Sequence, residues 1–135
     1  MADKIRVGIV GATVTPGGSG WGANAHVPAL QALPNYELKA VCTAHEETAR
    51  ASAEKFDADL AFHNISEMVT HPDVDLIAIV VRVPWHKDLV MAAINANKPV
   101  CCECPLGAHL AEANEMAEAA TAKAIPSLVG LQAQS

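Results

Sequence analysis

Short apolar runs recur along the chain, separated by longer segments whose apolar positions have helical spacing. The runs predict strands over residues 5–10, 37–43, 76–81, 100–103 and 127–131, with a shorter one near 60–62. The run over 76–81 is apolar at every position, as expected of a strand buried on both faces. The segments between predict helices over about 22–33, 46–56, 85–96 and 110–123, and a small one ending at Thr70 with Asn64 or Ser66 as its cap. Pro28 should shorten or kink the first helix. Thr43 and Glu46 have capping-box spacing ahead of the second, and the third should stop near Asn97, with Pro99 beyond it. Strand and helix in alternation predict parallel pairing through right-handed crossovers, hence an α/β fold: a doubly wound parallel sheet in three α/β/α layers.

Composition narrows the class. At 135 residues the chain is expected to form one domain, without repeats, low-complexity tracts or internal linkers. Apolar residues make up 51% of it, enough for a sizeable core. The net charge is −6, and the 9 Lys and Arg are scattered singly, which argues against a direct nucleic-acid surface. The longest apolar run has only strand length, so no membrane span is expected. No signal peptide is visible ahead of the first strand, and the expected location is cytoplasmic. Cys42, Cys101, Cys102 and Cys104 suit neither a disulfide framework nor a spaced zinc site, and read as reduced, buried, small hydrophobes. Along a strand, Cys102 and Cys104 would share a face and Cys101 would point the other way. No metal site is expected.

The first strand runs into Gly11, and a second glycine-rich patch follows at Gly17, Gly18, Gly20 and Gly22, ahead of a helix. A strand, a glycine turn and a helix start together form a phosphate cradle, because glycine lets the backbone approach an anion and unpaired N–H groups point at it. The spacing departs from a plain G-x-G-x-x-G, since several residues intrude between Gly11 and Gly20. Ligands of doubly wound sheets bind beyond the C-terminal ends of the strands. That rule selects residues 11–22, 43–45, 81–86, 103–105 and 132–135. The candidate dinucleotide-binding residues are therefore Gly11, Thr13, Gly20, Trp21, Gly22, Thr43, His45, Val81, Val83, His86, Glu103 and Gln132, with a hydroxyl from Ser19 also in reach of the anion.

Taken in order, these segments resemble the N-terminal domain of the glucose–fructose oxidoreductase/inositol dehydrogenase/MocA family. The resemblance rests on VGIVGA at 7–12, HVPALQALPNYELKAVC at 26–42, HPDVDLIAIVV at 71–81, His86, NKPVCCECPLG at 97–107, LAEANEMAEAA at 110–120 and VGLQAQS at 129–135, and covers essentially the whole chain. The residues intruding after Gly11, the Gly-Trp-Gly at 20–22 and the closing Leu-Gln-Ala-Gln-Ser resemble the branch containing the galactose-regulon co-repressor. The resemblance implies a Rossmann-type domain that binds NAD or NADP. In the family, hydride passes between a sugar or polyol carbon and the nicotinamide; in the co-repressor branch, cofactor binding serves control of a protein partner.

Three departures from the family pattern bear on function. A lysine commonly follows the glutamate after the fifth strand, and Cys104 stands there, so no catalytic residue is carried over. Thr43 occupies the place of an acidic residue at the end of the second strand, which permits NADP; Thr43, His45 and Arg50 are the candidates near that end. The family carries a second domain that this chain lacks, so the chain is read either as a fragment or as an abbreviated relative. It is expected to bind cofactor without turning over substrate. Strand six would then be left uncovered, which predicts a homo-oligomer.

Individual residues carry competing readings. Trp21 either walls the cofactor pocket or packs over the first helix. His26 and His86 read as caps or satisfied core groups rather than general bases, with His86 the nearer to cofactor. Arg82 reads as solvated, with phosphate binding the alternative. Glu103 is expected beside the nicotinamide ribose, or else as a cap of the next helix. Cys104 is either a reactive thiol or a tolerated replacement in a site without hydride chemistry. His63, His71 and His109 read as loop or cap residues, and Glu112, Glu115 and Glu118 as a solvated face.

Overall fold

The computed structural model describes residues 3–14 and 20–131. Six strands form one sheet: β1 (Ile5–Val10), β2 (Tyr36–Cys42), β3 (Leu60–Phe62), β4 (Leu76–Ile79), β5 (Val100–Glu103) and β6 (Ser127–Gly130). Their spatial order is β3-β2-β1-β4-β5-β6, and every neighbouring pair is parallel. The winding reverses at β1, which pairs with β2 on one side and β4 on the other. Such a reversal leaves a crevice beyond the C-terminal strand ends.

The helices are α1 (Val27–Ala32), α2 (Glu46–Lys55), α3 (Ile65–Val69), α4 (His86–Asn95) and α5 (Leu110–Ala122). Two apolar cores flank the sheet. On one face Val7, Ile9, Leu38, Val41 and Ala78 pack with Ala23, Val27 and Phe56. On the other, Cys42, Ile77, Ile79, Val100 and Cys102 pack with Met68 of α3, Val90, Ala93 and Ile94 of α4, and Met116 and Ala120 of α5. The spacing of Val90, Ala93 and Ile94 places one stripe of α4 on the sheet. Burying Ile94, which is 1% exposed, contributes roughly 1.5–3 kcal/mol. β6 is an edge strand, with Leu128 at 65% and Val129 at 37% exposure.

The expected first helix divides near its proline. Residues Gly22–His26 form a π turn, in which Val27 N–H donates to Gly22 O, and α1 follows with Pro28 in its first turn. Proline lacks an amide hydrogen, and the wide turn gives way to regular helix where that donor is missing.

The expected capping box at Thr43 and Glu46 does not form. α2 starts at Glu46 behind His45, which supplies no side-chain cap, so Glu46 stands at the first helical position rather than the third. The Thr43 hydroxyl donates instead to His45 O (2.9 Å) and meets Thr48 Oγ1 at 2.7 Å. Asn64 does cap α3, accepting from Ser66 N at 2.9 Å. β2 and β4 end at Cys42 and Ile79, short of the expected 43 and 81, yet Thr43 N still donates to Phe62 O and Val80 N to Val10 O. A short 3₁₀ turn, Val83–Trp85, precedes α4, which starts at His86.

Candidate functional site

The crevice opens where β1 ends. Gly11 has φ +104°, a left-handed conformation that disfavours side chains, and a Cβ built there would lie 2.0 Å from Val80 O. Glycine is therefore required both by the turn and by the close approach of the β4 backbone. Gly22 is buried, and a Cβ there would lie 3.2 Å from Gly11 O, so this glycine lets the helix start pack directly on the turn. At Gly20 a Cβ would meet nothing within 4 Å among the described residues; its value to the site is exposed backbone rather than tight packing.

A cleft of about 870 Å³ lies above these strand ends. Val10, Gly11, Thr13, Gly20 and Trp21 form its floor and near wall; Thr43, Ala44, His63 and Ile65 form one side. The other side is built by Val81, Arg82, Val83, Trp85, His86, Asp88 and Leu89 from the β4 end, and by Glu103 and Cys104 from the β5 end. A second hollow of about 260 Å³ adjoins it, walled by Trp21, Ala25, His26, Ala29, Glu103, Gly130 and Leu131. Trp21 and Glu103 border both.

Two histidines organise this region. His86 is 1% exposed. Its Nε2 lies 2.8 Å from Val81 O, and its Nδ1 lies 3.0 and 3.1 Å from Pro105 O and Leu106 O. It thereby joins the turn after β4 to the loop after β5. His26 Nε2 lies 2.7 Å from Glu103 Oε1, and Trp21 meets the same imidazole edge-on, with ring centroids 6.4 Å apart. Glu103 is 8% exposed, and its Oε2 is buried with no hydrogen-bond partner among the described residues. A buried carboxylate oxygen without a donor is costly, so it marks a place prepared for one.

The thiols divide by depth. Burial pushes Cys42 up to about 11 and Cys102 up to about 12, and it raises Cys101 as well. These three stay protonated at neutral pH and behave as apolar filling. Cys104 departs from the expectation that all four are buried: β5 stops at Glu103, and Cys104 is exposed on the cleft wall. Among the described residues, no group of three or more His, Cys, Asp or Glu side chains is placed to hold a metal ion.

Residues 5–130 match the family described as "Oxidoreductase family, NAD-binding Rossmann fold", Gfo/Idh/MocA. The chain belongs to that family. It is 35% identical to the dehydrogenase aclE of Aspergillus oryzae over 136 residues, covering 97% of this chain and 37% of the relative. It is 32% identical to the mouse trans-1,2-dihydrobenzene-1,2-diol dehydrogenase over 105 residues, covering 76% and 32%. Among solved structures, an NAD-binding oxidoreductase from Klebsiella pneumoniae superposes with a TM-score of 0.83 at 30% identity, covering 94% of this chain and 34% of that one. The chain thus spans about a third of the length of the curated relatives it matches.

Membership of the Gfo/Idh/MocA family makes this an NAD(P)-binding domain, and the residues of the cleft suit that cofactor. Gly11 and Gly22 supply the close turn and close helix packing that a dinucleotide diphosphate requires, and Glu103 offers an unpartnered acceptor suited to a ribose hydroxyl. Of the sequence candidates, Gly11, Thr13, Gly20, Trp21, Thr43, Val81, Val83, His86 and Glu103 line the cleft. Gly22 lies beneath the turn, and His45 is exposed outside the lining, its carbonyl accepting from Thr43 and Thr48. Arg50 is held by Glu46 at 2.5 Å on the α2 surface. Gln132, Gly17, Gly18 and Ser19 lie outside the described residues.

Several contacts were not anticipated. The alternative of Glu103 as a helix cap is replaced by its pairing with His26. His63, expected as a plain loop residue, borders the cleft. His109 does cap α5, accepting from Glu112 N. Glu112 and Glu115 are not merely solvated: Glu112 accepts from Ala108 N at 2.9 Å, and Glu115 pairs with Lys87 at 2.6 Å. Ala44 and Trp85 fell within the ranges that the strand-end rule selected but were not singled out, and Asp88 of α4 lay outside those ranges.

Proposed function

We propose that this chain is the cofactor-binding part of an oxidoreductase that moves hydride between nicotinamide and a hydroxyl-bearing carbon of a sugar or polyol. One observation carries the reading: the tight turn at Gly11, under a cleft that ends at a buried, half-unpartnered Glu103. Backbone amides of the first crossover and the Thr13 hydroxyl hold the diphosphate. Thr43 and Ala44 flank the adenosine side, and Val81, Val83, His86 and Glu103 the nicotinamide side. When bound, the nicotinamide supplies hydride acceptance. The chain's own residues position it, exclude water and satisfy its ribose. NADP is accepted alongside NAD, since no carboxylate stands at the end of β2 to repel a 2′-phosphate.

The test is calorimetry of the chain with NAD, NADP and their reduced forms, followed by absorbance assays with polyols. Saturable binding without turnover is expected. No binding of any form would overturn the reading, and robust turnover would overturn the division of labour.

A second reading is favoured by Cys104, which faces the cleft at the position where a family lysine is expected. Here the domain is a non-catalytic, NAD(P)-responsive regulator of a protein partner, like the galactose-regulon co-repressor. It requires a surface that changes when cofactor binds, and hydrogen exchange with and without NADP discriminates: protection extending beyond the cleft supports it, and protection confined to the cleft counts against it. On either reading, exposed Leu128, Val129 and Leu131 favour self-association along β6, which light scattering measures.

A further inference from the structure

We infer that the Glu103 carboxylate biases the cleft toward the oxidised form of the nicotinamide cofactor. This rests on the cofactor reading above and adds a selectivity to it. In doubly wound sheets the diphosphate sits at the first crossover and the adenosine half lies over the end of β2. The other half of the molecule then extends over the β4–β5 side, where Glu103 forms the wall.

The charge there is well placed to act. Glu103 is 8% exposed, so solvent screens it little. Its Oε1 is fixed by His26 Nε2 at 2.7 Å, and its Oε2 has no hydrogen-bond partner among the described residues. An ionised carboxylate only accepts, so this contact engages one of its two oxygens and leaves the other without a donor among the described residues. The other charged side chains lining the cleft, Asp88 and Arg82, are opposite in sign and both exposed, where water screens them, so neither decides the sign at Glu103. Oxidised nicotinamide carries one unit of positive charge on its ring and reduced nicotinamide carries none. The rest of the two cofactors is alike. A weakly screened negative group therefore attracts one form and leaves the other unaffected. Occupancy of the domain then follows the ratio of oxidised to reduced cofactor rather than their sum.

The experiment measures dissociation constants of the purified chain for NADP, NADPH and ADP-ribose, which lacks the nicotinamide ring. It is repeated with Glu103→Gln and with Cys104→Lys, which adds a positive charge at an exposed cleft position. The wild-type chain is expected to bind the oxidised form more tightly. Each substitution should reduce the reduced-to-oxidised ratio of dissociation constants by about tenfold, the order of one partly screened charge interaction. The ADP-ribose constant reports whether each variant folds and retains its cradle. If wild-type chain fails to bind ADP-ribose, the cofactor reading falls and this inference with it. If ADP-ribose binds while the ratio is unchanged in Cys104→Lys and in a folded Glu103→Gln, the selectivity alone is overturned.

Discussion

His26 Nε2 lies 2.7 Å from Glu103 Oε1, joining residues 77 positions apart. The contact ties the π turn that follows the glycine-rich segment to the end of β5. Because Oε2 is already without a partner, His26 supplies the one side-chain donor that the carboxylate has among the described residues. Replacing it with alanine would leave a buried charge with no such donor. His26→Ala is expected to lower stability by about 1–3 kcal/mol. Urea denaturation followed by circular dichroism measures this, and an unchanged midpoint would show that the pair contributes nothing.

The glycines of the crossover should respond unequally. At Gly11 a side chain meets both an unfavourable φ of +104° and the Val80 carbonyl at 2.0 Å. Gly11→Ala is expected to cost about 3 kcal/mol or more, since left-handed strain adds to a backbone clash. At Gly20 no described residue lies within 4 Å of an added Cβ, and Gly20→Ala should stay within about 0.5 kcal/mol of the parent. Thermal melts of the two variants decide the matter, and equal losses would contradict the geometry.

Much of the fold was legible in the sequence because local signals and tertiary packing agree. The run at 76–81 is apolar throughout, and it became β4, walled by both cores. Pro28 marked a break, and the helix changes character there. Thr43 misled for the same reason that it was attractive. Its hydroxyl seeks a local backbone partner, but the helix begins at Glu46, as expected, with His45 rather than Thr43 at the cap position, so the hydroxyl bonds His45 O instead. The His26–Glu103 pair was beyond reading from spacing. It depends on β5 lying beside β4, and on the first helix crossing the sheet face on the same side as the Glu103 side chain. Neither fact is local. The strand-end rule found the cleft, but it could not tell inward residues such as Val81 from outward ones such as His45, because that depends on where each strand stops.

Arg6 and Asp75 give a pH dependence with a definite sign. The guanidinium donates from Nε to Asp75 Oδ2 at 2.9 Å and from its terminal nitrogen to Oδ1 at 3.0 Å, fastening β1 to the approach to β4. Arg6 thereby holds the Asp75 carboxyl below its ordinary value. A carboxylate depressed in the folded state contributes stability that is full above the unfolded value, about 3.9, and lost as pH falls through the folded one. Asp75→Asn should therefore lower the denaturation midpoint modestly at pH 7, as befits a half-exposed pair. Wild type and variant should converge as pH falls through that depressed folded value. A gap that persists undiminished at low pH would assign the effect to packing rather than charge.

On the proposed cofactor reading, preference between NAD and NADP is set on the opposite side of the cleft, beyond the end of β2. Thr43 stands where an acid would hold a ribose, yet it is buried and its hydroxyl is engaged by His45 O and Thr48. Ala44 is the next residue; it is exposed and borders the cleft. A carboxylate introduced there meets solvent on one side and the adenosine ribose on the other, so it is tolerated by the fold. It should accept from the two hydroxyls of NAD and repel the phosphate of NADP. Ala44→Asp is therefore expected to weaken NADP relative to NAD by about tenfold or more, the order of one partly screened charge pair. Paired titrations with the two oxidised cofactors measure that ratio. An unchanged ratio in a variant that still binds NAD would mean that the adenosine ribose does not lie over the end of β2.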